Sequence, residues 1–61
     1  MYTKEDIVDL VNNEGLSYAM LEYVNIHLVD DPQLVELIEQ FREIHTKIGN
    51  HLTDYYREVY G

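Results

Sequence analysis

Cysteine is absent from the chain, lysine and arginine together number four, and serine occurs once. Each scarcity removes a class of protein. Without cysteine there are neither disulfides nor thiolate zinc sites, and the composition suits a reducing, cytoplasmic compartment. Four Lys and Arg against twelve Asp and Glu leave a formal charge of -8. Basic side chains supply most of the affinity for nucleic acid by neutralising phosphates, so direct nucleic-acid binding is not expected. Attraction to an anionic membrane is disfavoured for the same reason. Apolar runs fall far short of the roughly 18 residues that a membrane span requires. The opening Met1-Tyr2-Thr3-Lys4-Glu5-Asp6 lacks the basic segment and apolar run of a secretory signal. The lone serine, Ser17, stands where a helix cap is wanted rather than beside a base, so covalent catalysis lacks its parts. Glycine-rich phosphate loops are missing, and no window alternates apolar and polar residues in the manner of a strand.

What is present is 46% apolar residues with helical periodicity, which separates the chain from acidic disordered sequences. A single small helical domain over residues 1–61 is expected. Domains of about 60 residues bury only about 60% of the surface their unfolded chains expose. Ordering costs roughly 1.5 kcal/mol per residue, which burial at about 25 cal/mol per Å² barely offsets at this size. With disulfides and zinc excluded, self-association is the simplest remaining source of stability.

Three helices are expected, over about 4–13, 17–29 and 32–59. Thr3 is a candidate N-cap for the first, with Glu5 and Asp6 in the opening turn, where a carboxylate can reach back to the cap and complements the helix dipole. Asn12-Asn13-Glu14-Gly15 ends it, a run of weak helix formers closed by a glycine suited to the position after the last turn. Ser17 is the candidate cap of the second helix, which carries Leu16, Met20, Leu21, Val24, Ile26, His27 and Leu28. Asp30-Asp31-Pro32 then stops that helix and starts the third, because Asp caps well and Pro is tolerated at the first helical position.

The third helix dominates the sequence. Leu34, Ile38, Phe41, His45, Ile48, Leu52, Tyr55 and Val59 alternate spacings of four and three, the coiled-coil rhythm, with His45 as its one interruption. Leu37, Ile44 and His51 form a second row and widen the stripe to that of a helix in a bundle. Gly49-Asn50 is the weak point, costing on the order of 1 kcal/mol, yet the register continues across it. The expected architecture is all-α: an antiparallel helical hairpin with a broken first arm, dimerising into a four-helix bundle. The oligomer interface is assigned to Leu34, Leu37, Ile38, Phe41, Ile44, His45, Ile48 and Leu52. A His45 enclosed in such a seam would let acidification from about pH 7.5 to about pH 5.5 loosen it.

Residues that could carry other chemistry have plainer explanations. His45 and His51 lie roughly 120° apart around a helix and cannot address one metal ion. Glu36, Glu39 and Glu43 share a face that suits solvent, and Glu43 and Lys47 attract at i,i+4 in the favoured orientation. No catalytic residue, cofactor or metal ligand is assigned, and an enzyme is not expected. Tyrosine is the more informative residue: six of the seven aromatics are tyrosine. Tyr55, Tyr56 and Tyr60 crowd the last turns beside Arg57. Large amphipathic side chains of this kind are enriched at protein interfaces, so Tyr55, Tyr56, Arg57 and Tyr60 are the candidate contacts for an unidentified protein partner. The functional expectation is a small acidic interaction or regulatory module acting as a homo-oligomer. The alternative is a DNA mimic, of the size and charge common among phage-encoded regulators, whose carboxylates would occupy the basic site of a nucleic-acid-binding protein.

Overall fold

The computed structural model describes residues 1–61. In chain order it contains α1 (Lys4–Glu14), a short helical turn α2 (Leu16–Tyr18), a π-helical turn (Ala19–Tyr23), a 3-10 turn (Ile26–Leu28) and α3 (Pro32–Tyr60). The fold is all-α, and its only extended pairing is one parallel bridge between Tyr2 and Val29.

The caps expected at Thr3 and Asp31 form. The Thr3 hydroxyl oxygen accepts from the Asp6 amide at 3.1 Å, while the Asp6 carboxylate accepts from the Thr3 amide at 2.9 Å. This reciprocal pair satisfies two donors that the first turn would otherwise leave open. Backbone and hydroxyl bonding with Thr3 holds the Asp6 carboxyl below its ordinary range. At the other end of α1, Gly15 takes φ 83° and its amide donates to the Val11 carbonyl at 2.8 Å. A side chain at that φ would crowd its own backbone, so Gly15 makes a break and not a kink. Asp31 caps α3 by accepting from the Leu34 amide at 3.2 Å, with Pro32 in the first turn. The helix then runs unbroken through Gly49 to Tyr60.

The helix expected over residues 17–29 does not form as a unit. Ser17 caps nothing, and Gly15 occupies the position before α2. The Val24 amide donates to the Ala19 carbonyl at 2.9 Å, an i→i−5 bond where α geometry would select Met20. The Met20 carbonyl is thereby released. Arg42 takes it, Nε donating at 2.8 Å, and its terminal nitrogen donates to the Val24 carbonyl at 2.6 Å. Val24 and Asn25 are extended, and the Asn25 side chain accepts from the His27 amide at 3.0 Å, a local bond that competes with continued helix. A guanidinium from α3 and an asparagine within the segment therefore replace the second helix by three turns.

Those turns fold back on the start of α3. Ala19, Met20, Val24 and Ile38 are buried, and Ile7, Leu10, Val11, Leu34 and Phe41 pack around them. Tyr2 closes one side: its amide donates to the Leu28 carbonyl at 2.7 Å, and its hydroxyl accepts from the Asn25 amide at 3.4 Å. The body so formed covers α3 only as far as Arg42, for residues 43–61 are all exposed. The molecule measures 46 × 23 × 13 Å, its length set by the uncovered part of α3. That helix is not long and apolar enough to cross a membrane, and neither is any other.

Candidate assembly surface on the long helix

The body divides the residues assigned to the oligomer interface. Ile38, 2% exposed, is consumed by the core of its own chain, and Leu34 and Phe41 are partly buried against it. Ile38 is therefore corrected from an interface residue to a core residue, because the π-turn and Val24 already cover it. The others stay open: Leu37 is 53% exposed, Ile44 55% and Ile48 54%, and His45 and Leu52 are exposed with them.

From residue 43 onward α3 is an arm of about 27 Å at 1.5 Å per residue. Its apolar side chains gather on one side. At 100° per residue, Ile44, Ile48, Leu52, Tyr55 and Val59 fall within an arc of about 80°, Glu43, Lys47, Asp54 and Arg57 fall on the opposite half of the helix, and Glu58 lies on the flank of the stripe, about 80° from its centre. His45 and His51 flank the stripe on either side, each about 60° from its centre. Both rest on aromatic neighbours one turn away: His45 is edge-on to Phe41 at 6.5 Å between centroids, His51 edge-on to Tyr55 at 5.3 Å. The outer half is braced by exposed ion pairs, Lys47 to Glu43 at 3.1 Å and Arg57 to Asp54 at 3.8 Å. Pairs so exposed contribute little to stability.

The tyrosine end also divides. Tyr56 and Tyr60 stack at 6.3 Å with ring planes 17° apart, while Tyr55 lies on the apolar stripe beside Val59. The stacked pair and Arg57 thus face other directions from Tyr55. A second tyrosine pair, Tyr18 and Tyr23, stands on the body with centroids 5.9 Å apart. The negative charge of Glu14 beside it pushes the Tyr23 phenol above its ordinary pKa.

Where the arm meets the body, Leu16, Met20, Leu37 and Phe41 line an open apolar groove of about 240 Å³ between α2 and α3. Sequence periodicity placed Leu16 among the apolar residues of the second helix but did not foresee the groove, which depends on where the π-turn places α2. Arg42 was also unassigned. The signal available for it was a rare basic residue one turn after Ile38, on the flank of the core-facing stripe.

Charge is unevenly divided along the chain. Residues 1–43 hold ten of the twelve carboxylates and two of the four Lys and Arg, which is the whole formal charge of -8, and residues 44–61 hold two of each sign. No three His, Asp or Glu side chains converge in an arrangement that could hold a metal ion. Comparison with known protein families, curated proteins and solved structures finds no match.

Proposed function

We propose that this protein is a homo-oligomeric interaction module in which the exposed half of α3 is the assembly element and the acidic body faces a protein partner. The observation that carries this reading is the arm: about five helical turns, free of tertiary cover, with an apolar stripe of Ile44, Ile48, Leu52, Tyr55 and Val59 whose arc holds no Lys, Arg, Asp or Glu. Leu37, Ile44, His45, Ile48 and Leu52 are the assembly residues on this reading, and two copies complete a helical bundle around them. Tyr56, Arg57 and Tyr60, which point away from the stripe, remain open to a second protein.

The division of charge favours assembly over DNA mimicry. A mimic sets carboxylates along its length as phosphates are set along a duplex, whereas here the elongated part is neutral. Light scattering tests the proposal directly. The expected mass is twice the 7.3 kDa of one chain, and Ile48→Asp should return it to that of one chain without loss of the body fold, since Ile48 touches none of the core. A wild-type chain that is folded and monomeric at high micromolar concentration would overturn the reading.

A further inference from the structure

We infer that the second copy binds antiparallel, on a two-fold axis beside Ile48, with each arm lying in the groove between α2 and α3 of the other chain. This rests on the homo-oligomer reading above and adds the orientation, the register and the site that the arm fills.

The stripe is symmetric about Ile48. Ile44 and Leu52 stand four residues to either side, Phe41 and Tyr55 seven, and Leu37 and Val59 eleven. A two-fold interface requires that whatever residue i meets on the partner, the partner's residue i meets in return. Running two such helices in opposite directions about Ile48 sets Ile44 level with Leu52, Phe41 with Tyr55 and Leu37 with Val59. The last two pairs fall at the groove. Leu16, Leu37 and Phe41 are its walls, and the arm tip that arrives carries Tyr55, 54% exposed, and Val59, 71% exposed. An open apolar groove and a protruding apolar helix end are thereby covered in a single arrangement.

Charge selects the same orientation. Parallel pairing would put two bodies of formal charge -8 side by side, at the 8–10 Å or so that separates packed helices, which is within about one Debye length at physiological salt. Antiparallel pairing lays each neutral arm against the other chain's acidic body and holds the bodies about 30 Å apart, where the repulsion is screened. The contact area is sufficient. Seven large apolar side chains leaving roughly 100 Å² each in solvent offer about 700 Å² per copy, close to the 800 Å² per partner of a standard interface.

The missing cysteines make the test clean, because one introduced thiol labels one site. Glu36 lies outside the stripe, twelve residues before Ile48. With a nitroxide on Glu36→Cys, dipolar spectroscopy of the antiparallel dimer should give a separation of about 36 Å, and of about 30 Å with the label on Glu58→Cys, ten residues after the axis. Separations below about 20 Å at both positions in a sample of dimeric mass would overturn the antiparallel register and leave the dimer standing. A monomeric mass for both labelled chains and for the wild type would overturn both readings together.

Discussion

Ile38 and Ile48 belong to the same helix and the same apolar rhythm, yet one is 2% exposed and the other 54%. The first half of α3 is roofed by the π-turn, with α1 packed on that turn, and is anchored through Arg42. The second half has its own hydrogen bonds, two surface ion pairs and a few aromatic contacts between successive turns. Periodicity dictates which residues share a face. Whether a face is covered depends on how far the rest of the chain can reach. Thirty-one residues precede α3, and they spend their apolar side chains before passing Arg42. The exposed half is helical nonetheless because the costly step, forming the first turn, is completed at Asp31-Pro32 and in the packed turns that follow. Extension then adds one hydrogen bond per residue ordered.

Substitutions that treat the two halves alike should therefore have unlike results. The largest effect is expected at Ile38, where truncation to Ala should cost about 3 kcal/mol, within the range for buried aliphatic residues. In so small a domain that is enough to unfold the body, visible as lost dispersion of the methyl resonances. Ile48→Ala should leave the thermal stability of the monomer within about 0.5 kcal/mol, the usual range for open positions. Equal losses at the two sites would erase the distinction between body and arm.

Arg42→Met comes next. It keeps most of the aliphatic stem and removes both bonds to the Met20 and Val24 carbonyls. Hydrogen bonds from a charged donor are worth about 1.5–3 kcal/mol, so amide exchange across Ala19–Leu28 should quicken by at least tenfold. Lysine at the same position should recover only part, since it lacks the planar fork that spans two carbonyls.

This segment is also where the sequence was least informative. Thr3, Gly15, Asp31 and Pro32 act on their own neighbours, so the ends of α1 and α3 could be read locally. The stretch between them has a helical apolar pattern, but its path is decided by an arginine about twenty residues further on. A pattern cannot register such a bond. The apolar stripe of α3 was readable in the same local sense, except that Ile38 could not be told from Ile44 or Ile48 until the position of the π-turn was known.

Smaller changes sharpen the contrast at the helix ends and in the arm. Thr3→Ala should lower the stability of the body by about 1 kcal/mol, the usual cost of losing an N-cap. Because the Asp6 carboxyl is held below its ordinary value, its bond from the Thr3 amide stabilises the fold fully above the unfolded carboxylate pKa and is lost as pH falls through the folded one. The gap in melting temperature between wild type and Asp6→Ala, which removes the carboxylate itself, should therefore close on acidification below about pH 4. Gly49→Ala should do the reverse of the other changes. The added methyl meets nothing within 4 Å, and helix propensity alone should gain about 0.5–1 kcal/mol, seen as greater helicity in dilute solution.

The four basic residues also map where a protease of trypsin's specificity can enter. Lys4 sits in the capped first turn and Arg42 is held by two carbonyls, whereas Lys47 and Arg57 lie on the arm. Cleavage of a helix needs local opening, and opening is easiest where no second element holds the turn shut. Dilute chain should be trimmed back to a resistant fragment ending near Lys47, and the same chain at high concentration should survive longer if association closes the arm. The rate of digestion thus becomes a measure of how much of the protein is alone.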